Sequence, residues 1–121
     1  MKKAIVIFGH GSKAPEALET LKMVRDIIKP ALDTDIVEVA SMEFSEPDLP
    51  TCVAGLVNRG VNKIVVAPFF LYYGIHMQED IPQILANERS KYPEVEIVIT
   101  GNLGADQRIA DVVIERIREV G

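Results

Sequence analysis

Short apolar runs alternate with longer amphipathic segments four times along the chain. Residues 4–8, Ala-Ile-Val-Ile-Phe, are continuously apolar, the pattern of a strand covered on both faces. The run stops at Gly9-His10-Gly11-Ser12. Pro15 then opens a segment in which Ala17, Leu21, Val24 and Ile28 fall on one helical face, and Pro30 ends it. Residues 35–40 alternate with period two and predict a half-buried or edge strand. In the connection that follows, Ser45 with Asp48 fits a capping box and Pro47 fits the first helical position. Leu49, Cys52, Val53 and Leu56 make the next apolar stripe, and Gly60 stands where a left-handed C-terminal cap belongs.

The third unit begins with the strand-like run 61–67 and continues as Pro-Phe-Phe-Leu-Tyr-Tyr-Gly-Ile-His-Met-Gln-Glu-Asp-Ile-Pro over residues 68–82. Pro82 suits the first turn of a helix with Ile81, Ile84 and Leu85 inward. The connection this leaves is much longer than the roughly 2–6 residues usual in α/β units. It is also aromatic and carries His76, which marks it as part of a site. The fourth unit is a strand over 95–99, a Gly101-Asn102-Leu103-Gly104 turn, and a last helix with Ile109, Val112, Val113, Ile117 and Val120 inward. Four βα units predict an α/β fold of one domain over 1–121, a parallel sheet with helices on both faces and right-handed crossovers.

Composition narrows the function. The 121 residues are 48% hydrophobic and 26% charged, an ordinary globular balance, too small to enclose a large ligand without a cleft or a second subunit. A net charge of −5 with no basic cluster argues against general nucleic-acid or anionic-membrane binding. The single cysteine, Cys52, permits neither an internal disulfide nor a Cys-based metal cluster. The apolar run after Lys2-Lys3 is too short for a signal peptide or membrane span, so a cytoplasmic location is expected.

The chemistry then falls on one edge. His10 follows strand 1, Glu43 and Glu46 follow strand 2, and His76 follows strand 3; in a parallel sheet these connections emerge together. In the common order 2-1-3-4, strands 1 and 3 are neighbours and the winding direction switches between them, where such sheets bind ligands. Imidazoles and a carboxylate there suit either divalent-metal handling or proton transfer. The blander alternatives are capped or hydrogen-bonded loop histidines and helix-capping glutamates. Gly9 and Gly11 are not a dinucleotide fingerprint and no P-loop Lys follows; they let the backbone pass close to something at His10. Phe69, Phe70, Tyr72 and Tyr73 suit packing or a flat aromatic ligand.

Gly-His-Gly-Ser at 9–12, Met-Glu-Phe-Ser-Glu-Pro at 42–47 and the 68–82 stretch together resemble the small, archaeal-type CbiX sirohydrochlorin cobaltochelatases, including the nickel chelatases of coenzyme F430 synthesis, over the whole chain. The resemblance implies a flavodoxin-like chelatase unit, present twice in longer relatives, so that a single-unit chain works as a homodimer around the tetrapyrrole. It implies His10 as metal ligand and proton acceptor and His76 as second metal ligand. It further implies Glu46 and Leu71, Tyr72, Tyr73, Gly74, Ile75 and His76 as contacts to sirohydrochlorin. Glu43 is a further contributor near the metal, and Ser12, Lys13 or helix N-termini are candidate donors to the substrate's carboxylates. The implied reaction inserts divalent cobalt or nickel into sirohydrochlorin, for cobalamin or coenzyme F430 biosynthesis, with no cofactor beyond the substrate metal. Rival readings are a non-catalytic metal or tetrapyrrole carrier and a histidine-phosphatase-like domain; the second is weakened because Gly9, not Arg, precedes His10.

Overall fold

The computed structural model describes residues 2–43 and 46–121, with His76 described in its backbone alone. Strands β1 (Lys3–Gly9), β2 (Val37–Ser41), β3 (Lys63–Pro68) and β4 (Glu96–Ile99) form one parallel sheet in the order β2-β1-β3-β4. This is the expected order, and it puts β1 beside β3 at the switch in winding. Helices α1 (Pro15–Ile28), α2 (Leu49–Asn58), α3 (Ile75–Lys91) and α4 (Gln107–Glu119) follow the strands in turn. Pro30 sits in a short 3₁₀ turn, Lys29–Ala31, that extends α1 before the chain straightens.

Alternation along the strands divides the sheet into two unequal faces. On one, Val6, Phe8, Ile64 and Val66 are wholly buried beneath Leu49, Val53 and Leu56 of α2 and Ile81 and Leu85 of α3. On the other, Ile7, Val37 and Val39 are buried with Leu21 of α1. The α1 stripe is shifted from the expected one: Ala17 is exposed, and Leu18 packs with Leu21 and Ile28 instead. Burial of Cys52 in the larger core pushes its thiol up to about 12, with the Glu38 charge adding to the effect. A protonated, buried thiol is inert. Iodoacetamide should therefore leave Cys52 unmodified in the folded protein and alkylate it once urea has unfolded the chain, as intact mass would show.

Two helix starts differ from expectation. Helix α2 begins at Leu49, not at Pro47, and Pro50 occupies its first turn. Asp48 is the N-cap: its carboxylate accepts from the Thr51 amide at 2.9 Å. The expected cap Ser45 lies outside the described residues. Residues 47 and 48 instead run beside the end of β2, where the Ser41 amide donates to the Pro47 carbonyl at 2.9 Å; the Glu46–Pro47 peptide is cis. Helix α3 begins at Ile75 after Gly74, so Pro82 lies inside the helix and not at its start. The missing Pro82 amide leaves the Gln78 carbonyl without its helical donor, on a residue that is itself exposed.

The Asp48 cap is testable. Asp48→Ala should cost about 0.5–2 kcal/mol. Hydrogen bonds from Thr51 hold the Asp48 carboxyl below the usual carboxylate range. Its stabilising effect is therefore complete above about pH 4 and lost as pH falls through the lowered folded value. Urea unfolding should show the variant weaker at pH 7 and the gap closing as the solution is acidified toward pH 3.

The largest departure concerns α4. Its apolar face was expected inward, yet no residue of the helix is buried; Ile109 is half-buried, while Val113 is 53% and Ile117 60% exposed. Periodicity records that an apolar face exists, not which surface will meet it. Among the described residues no helix is long and apolar enough to cross a membrane.

Candidate functional site at the β1–β3 edge

The expected residues gather where β1 and β3 end. His10 is the first residue past β1 and is exposed. Its Nδ1 lies 3.3 Å from the Gly11 carbonyl. A carbonyl only accepts, so this bond needs the proton on Nδ1; in the neutral ring Nε2 then keeps a free lone pair. The ring stands edge-to-face on Phe70, centroids 6.3 Å apart. Phe70 is itself wedged edge-on between Phe8 and Tyr73, at 6.0 and 5.9 Å. Stacked aromatic edges thus tie the imidazole's orientation to the core beneath it.

Gly11 explains the close approach anticipated from the Gly-His-Gly pattern. The Met42 amide donates to the Gly9 carbonyl at 2.9 Å and the Glu43 amide to the His10 carbonyl at 3.2 Å. These bonds continue the β1–β2 ladder past the strands and draw the Glu43 backbone against Gly11. A Cβ on Gly11 would fall 1.8 Å from the Glu43 carbonyl oxygen, and Gly11 has a φ of +92°. Glu43 is thereby held beside His10 with its side chain exposed.

The segment after β3 forms the other wall. Phe69 donates its amide to the Phe8 carbonyl at 2.8 Å, fastening this wall to β1. His10, Phe69, Phe70, Leu71, Tyr72, Gly74, Ile75 and Met77 line a cleft of about 510 Å³. Leu71, Tyr72 and Ile75 are 52%, 76% and 78% exposed, an open apolar rim of a kind that marks ligand or partner surfaces. Tyr73 lies behind this rim against Phe70, and burial pushes its phenol up, so it stays protonated. His76 falls in the first turn of α3, in helix and not in the expected loop, between two cleft-lining residues; its side chain lies outside the described residues.

Other expected residues stand apart from the cleft wall. Glu46 is exposed and does not line it. Ser12 accepts from the Ala14 amide at 3.0 Å, shaping the turn into α1. Among the described residues no three His, Cys, Asp or Glu side chains converge as a metal site. Sequence reasoning missed Asn102, Leu103 and Gly104. Asn102 donates through Nδ2 to the Leu71 carbonyl at 2.8 Å, and the Leu103 and Gly104 amides donate to the Phe70 and Leu71 carbonyls at 2.8 and 2.9 Å. Their signal was a polar turn following strand 4 on the same sheet edge.

The sequence and the fold have known counterparts. The CbiX family model matches residues 4–120. The sirohydrochlorin cobaltochelatase of Methanococcus aeolicus is 35% identical, covering 94% of this chain and 96% of its own length. A CbiX protein from Marinobacter aquaeolei VT8 superposes with a TM-score of 0.81 at 25% identity, covering 97% of this chain and 95% of its own. The sirohydrochlorin chelatase SirB from Bacillus subtilis subspecies spizizenii, in complex with cobalt, superposes with a TM-score of 0.90 at 28% identity, over 99% of this chain but 51% of its own. Matched from near its first residue to near its last, the chain belongs to the CbiX family of metal chelatases.

Proposed function

We propose that this protein is a sirohydrochlorin chelatase that inserts divalent cobalt or nickel into the tetrapyrrole. The observation that carries the reading is His10: an exposed imidazole, with Nε2 unprotonated in its neutral form, at the mouth of an apolar cleft on the β1–β3 edge. The cobaltochelatase name of the Methanococcus aeolicus relative and the cobalt bound to SirB support the substrate and metal classes.

In this reading the macrocycle lies against the Leu71, Tyr72 and Ile75 rim, and metal reaches one face of the ring through His10 and His76. Two pyrrolic N–H protons must leave as the metal enters, and the Nε2 lone pair of His10 receives one, with Glu43 close by to relay it. Holding the ring on a fixed wall supplies orientation, the term that makes two reactants behave as one. The substrate is rich in carboxylates and the protein carries a net charge of −5, so acidic groups must meet local donors. The first-turn amides of α3, which have no side-chain cap, open at the cleft and serve that purpose. One 121-residue unit offers only an open cleft, and we place a second copy over the same ligand. Cobalt and nickel share these N and O ligands, and supply decides between them.

The test is absorption spectroscopy of sirohydrochlorin mixed with the protein and cobalt, then nickel. Metal insertion should run well above the protein-free rate with at least one metal. Metal binding without that acceleration would instead indicate a carrier.

A further inference from the structure

His10 has two sides, and the cleft occupies one of them. The imidazole and Phe69 also wall a second, narrower cavity of about 180 Å³, which lies between the end of the sheet and α1. Two positions in the sequence make room for it. Strand alternation points Ile7 and Val39 at α1, and the next residues on that face are Gly9 and Ser41, paired across β1 and β2. Gly9 has no side chain, and a Cβ there would lie 2.9 Å from a Leu21 methyl. Ser41 is small. The apolar layer on this face therefore stops short of the sheet edge, and a space remains against residues 9–11.

The cavity is polar where it meets the imidazole and open at its far end. Ser41 is 2% exposed, one of two buried polar side chains among the described residues. A buried hydroxyl is costly without a hydrogen-bond partner, and a cavity of this size admits several waters at roughly 30 Å³ each. Gly11, whose carbonyl holds the proton on His10 Nδ1, lines the same cavity. That bond, at 3.3 Å, is long for N–H···O, so the proton is loosely held. At the other end Ala17 and Thr20 of α1 are exposed, so the cavity reaches bulk solvent on the α1 side. Among the described residues no charged side chain lines it. Such a wall offers a hydrated divalent ion nothing to replace its shell, whereas a proton needs only water.

We infer that this cavity is the proton exit of the chelatase, with Ser41 the positioning residue that orders its water. The inference rests on the proposed reaction and deepens it. In each turnover one divalent metal ion displaces two pyrrolic protons, two N–H bonds breaking as metal–nitrogen bonds form. With the macrocycle against the Leu71, Tyr72 and Ile75 rim, the substrate itself covers the cleft side of His10. The Nε2 lone pair takes a proton there, giving imidazolium. The Nδ1 proton, on the Gly11 side, then passes to water held by Ser41 and leaves as hydrated proton past Thr20. The ring is left neutral with its proton on Nε2, and it recovers the resting tautomer by exchange with solvent once product has gone.

The test uses the full chain, sirohydrochlorin and whichever of cobalt or nickel the wild type inserts, with rates taken in H₂O and D₂O. Ser41→Val and Ser41→Thr have nearly the same volume and differ in the hydroxyl. Ser41→Val should lower kcat at least about fivefold while KM for sirohydrochlorin stays within about twofold. Its solvent deuterium isotope effect should exceed that of the wild type, because proton release has become limiting. Ser41→Thr should recover most of the rate and the wild-type isotope effect. Ala17→Phe plugs the exposed mouth from the helix and should reproduce the Ser41→Val pattern at an unchanged melting temperature, which keeps the test decisive if a Ser41 variant fails to fold. Wild-type kcat in Ala17→Phe and in a folded Ser41→Val, or slowing without a larger isotope effect, overturns the exit route and leaves the chelatase reading standing. A raised KM for metal with an unchanged isotope effect would mean that the cavity admits metal, and overturns it equally. A wild-type chain that accelerates insertion of neither metal overturns the reaction, and the exit with it.

Discussion

His10→Ala should slow metal insertion by roughly 10²–10⁴-fold, the range for loss of a positioned proton acceptor. The side chain is exposed and meets the core only at the edge of Phe70, so the melting temperature should hardly move; surface changes of this kind stay within about 0.5 kcal/mol. That separation of rate from stability is the useful signature, because a residue that merely packed on Phe70 would show the reverse. The readout is the rate of the sirohydrochlorin spectral change with cobalt or nickel in excess, with thermal unfolding followed on the same samples. A rate within twofold of the wild type would remove His10 from the chemistry and with it the proposed route for the departing protons.

Gly11→Ala should be the most damaging single-methyl change in the molecule. Its φ of +92° alone costs an alanine about 1–3 kcal/mol. The new Cβ would also overlap the Glu43 carbonyl oxygen, and that atom is backbone held by the Met42 and Glu43 hydrogen bonds to loop 9–10. Relief therefore requires moving the Met42–Glu43 segment away from His10. Gly60→Ala is the matched control: its φ is +82°, but nothing lies within 4 Å of the added atom. Gly9→Ala is a milder comparison, since its Cβ meets only the flexible end of Leu21, at 2.9 Å. Thermal unfolding should rank Gly11→Ala well below Gly60→Ala. Metal insertion should fall in the Gly11 variant and persist in the Gly60 one. Equal melting temperatures for the two would mean that the loops do not press together.

Much of this was legible along the chain because burial imposes periodicity. The all-apolar run at residues 4–8 became β1, between two neighbouring strands, and the stripe Leu49, Cys52, Val53 and Leu56 became the buried side of α2. Gly60 has the left-handed conformation its position required. Helix boundaries were harder. Pro47 and Pro82 each suit a helix start, but α2 begins where Asp48 captures the Thr51 amide, and α3 begins after Gly74, a full two turns before its proline. A proline tolerated on a wet helix side carries no local mark of its position. The site was legible in its residue types and in its edge of the sheet, whereas Asn102 and Leu103 were not, because they act by donating to backbone carbonyls of a segment about thirty residues away.

What the sequence by itself determined is the order of elements and the residues able to do chemistry, since strand and helix periods are local and histidines are rare in this chain. Its motifs likewise sufficed to mark the CbiX resemblance. Tertiary structure alone decided which backbone Gly11 must admit, which carbonyl orients His10, and where α4 goes. Those depend on loops meeting across the sheet edge, and a hydrophobic stripe reads the same whether or not its own sheet will cover it.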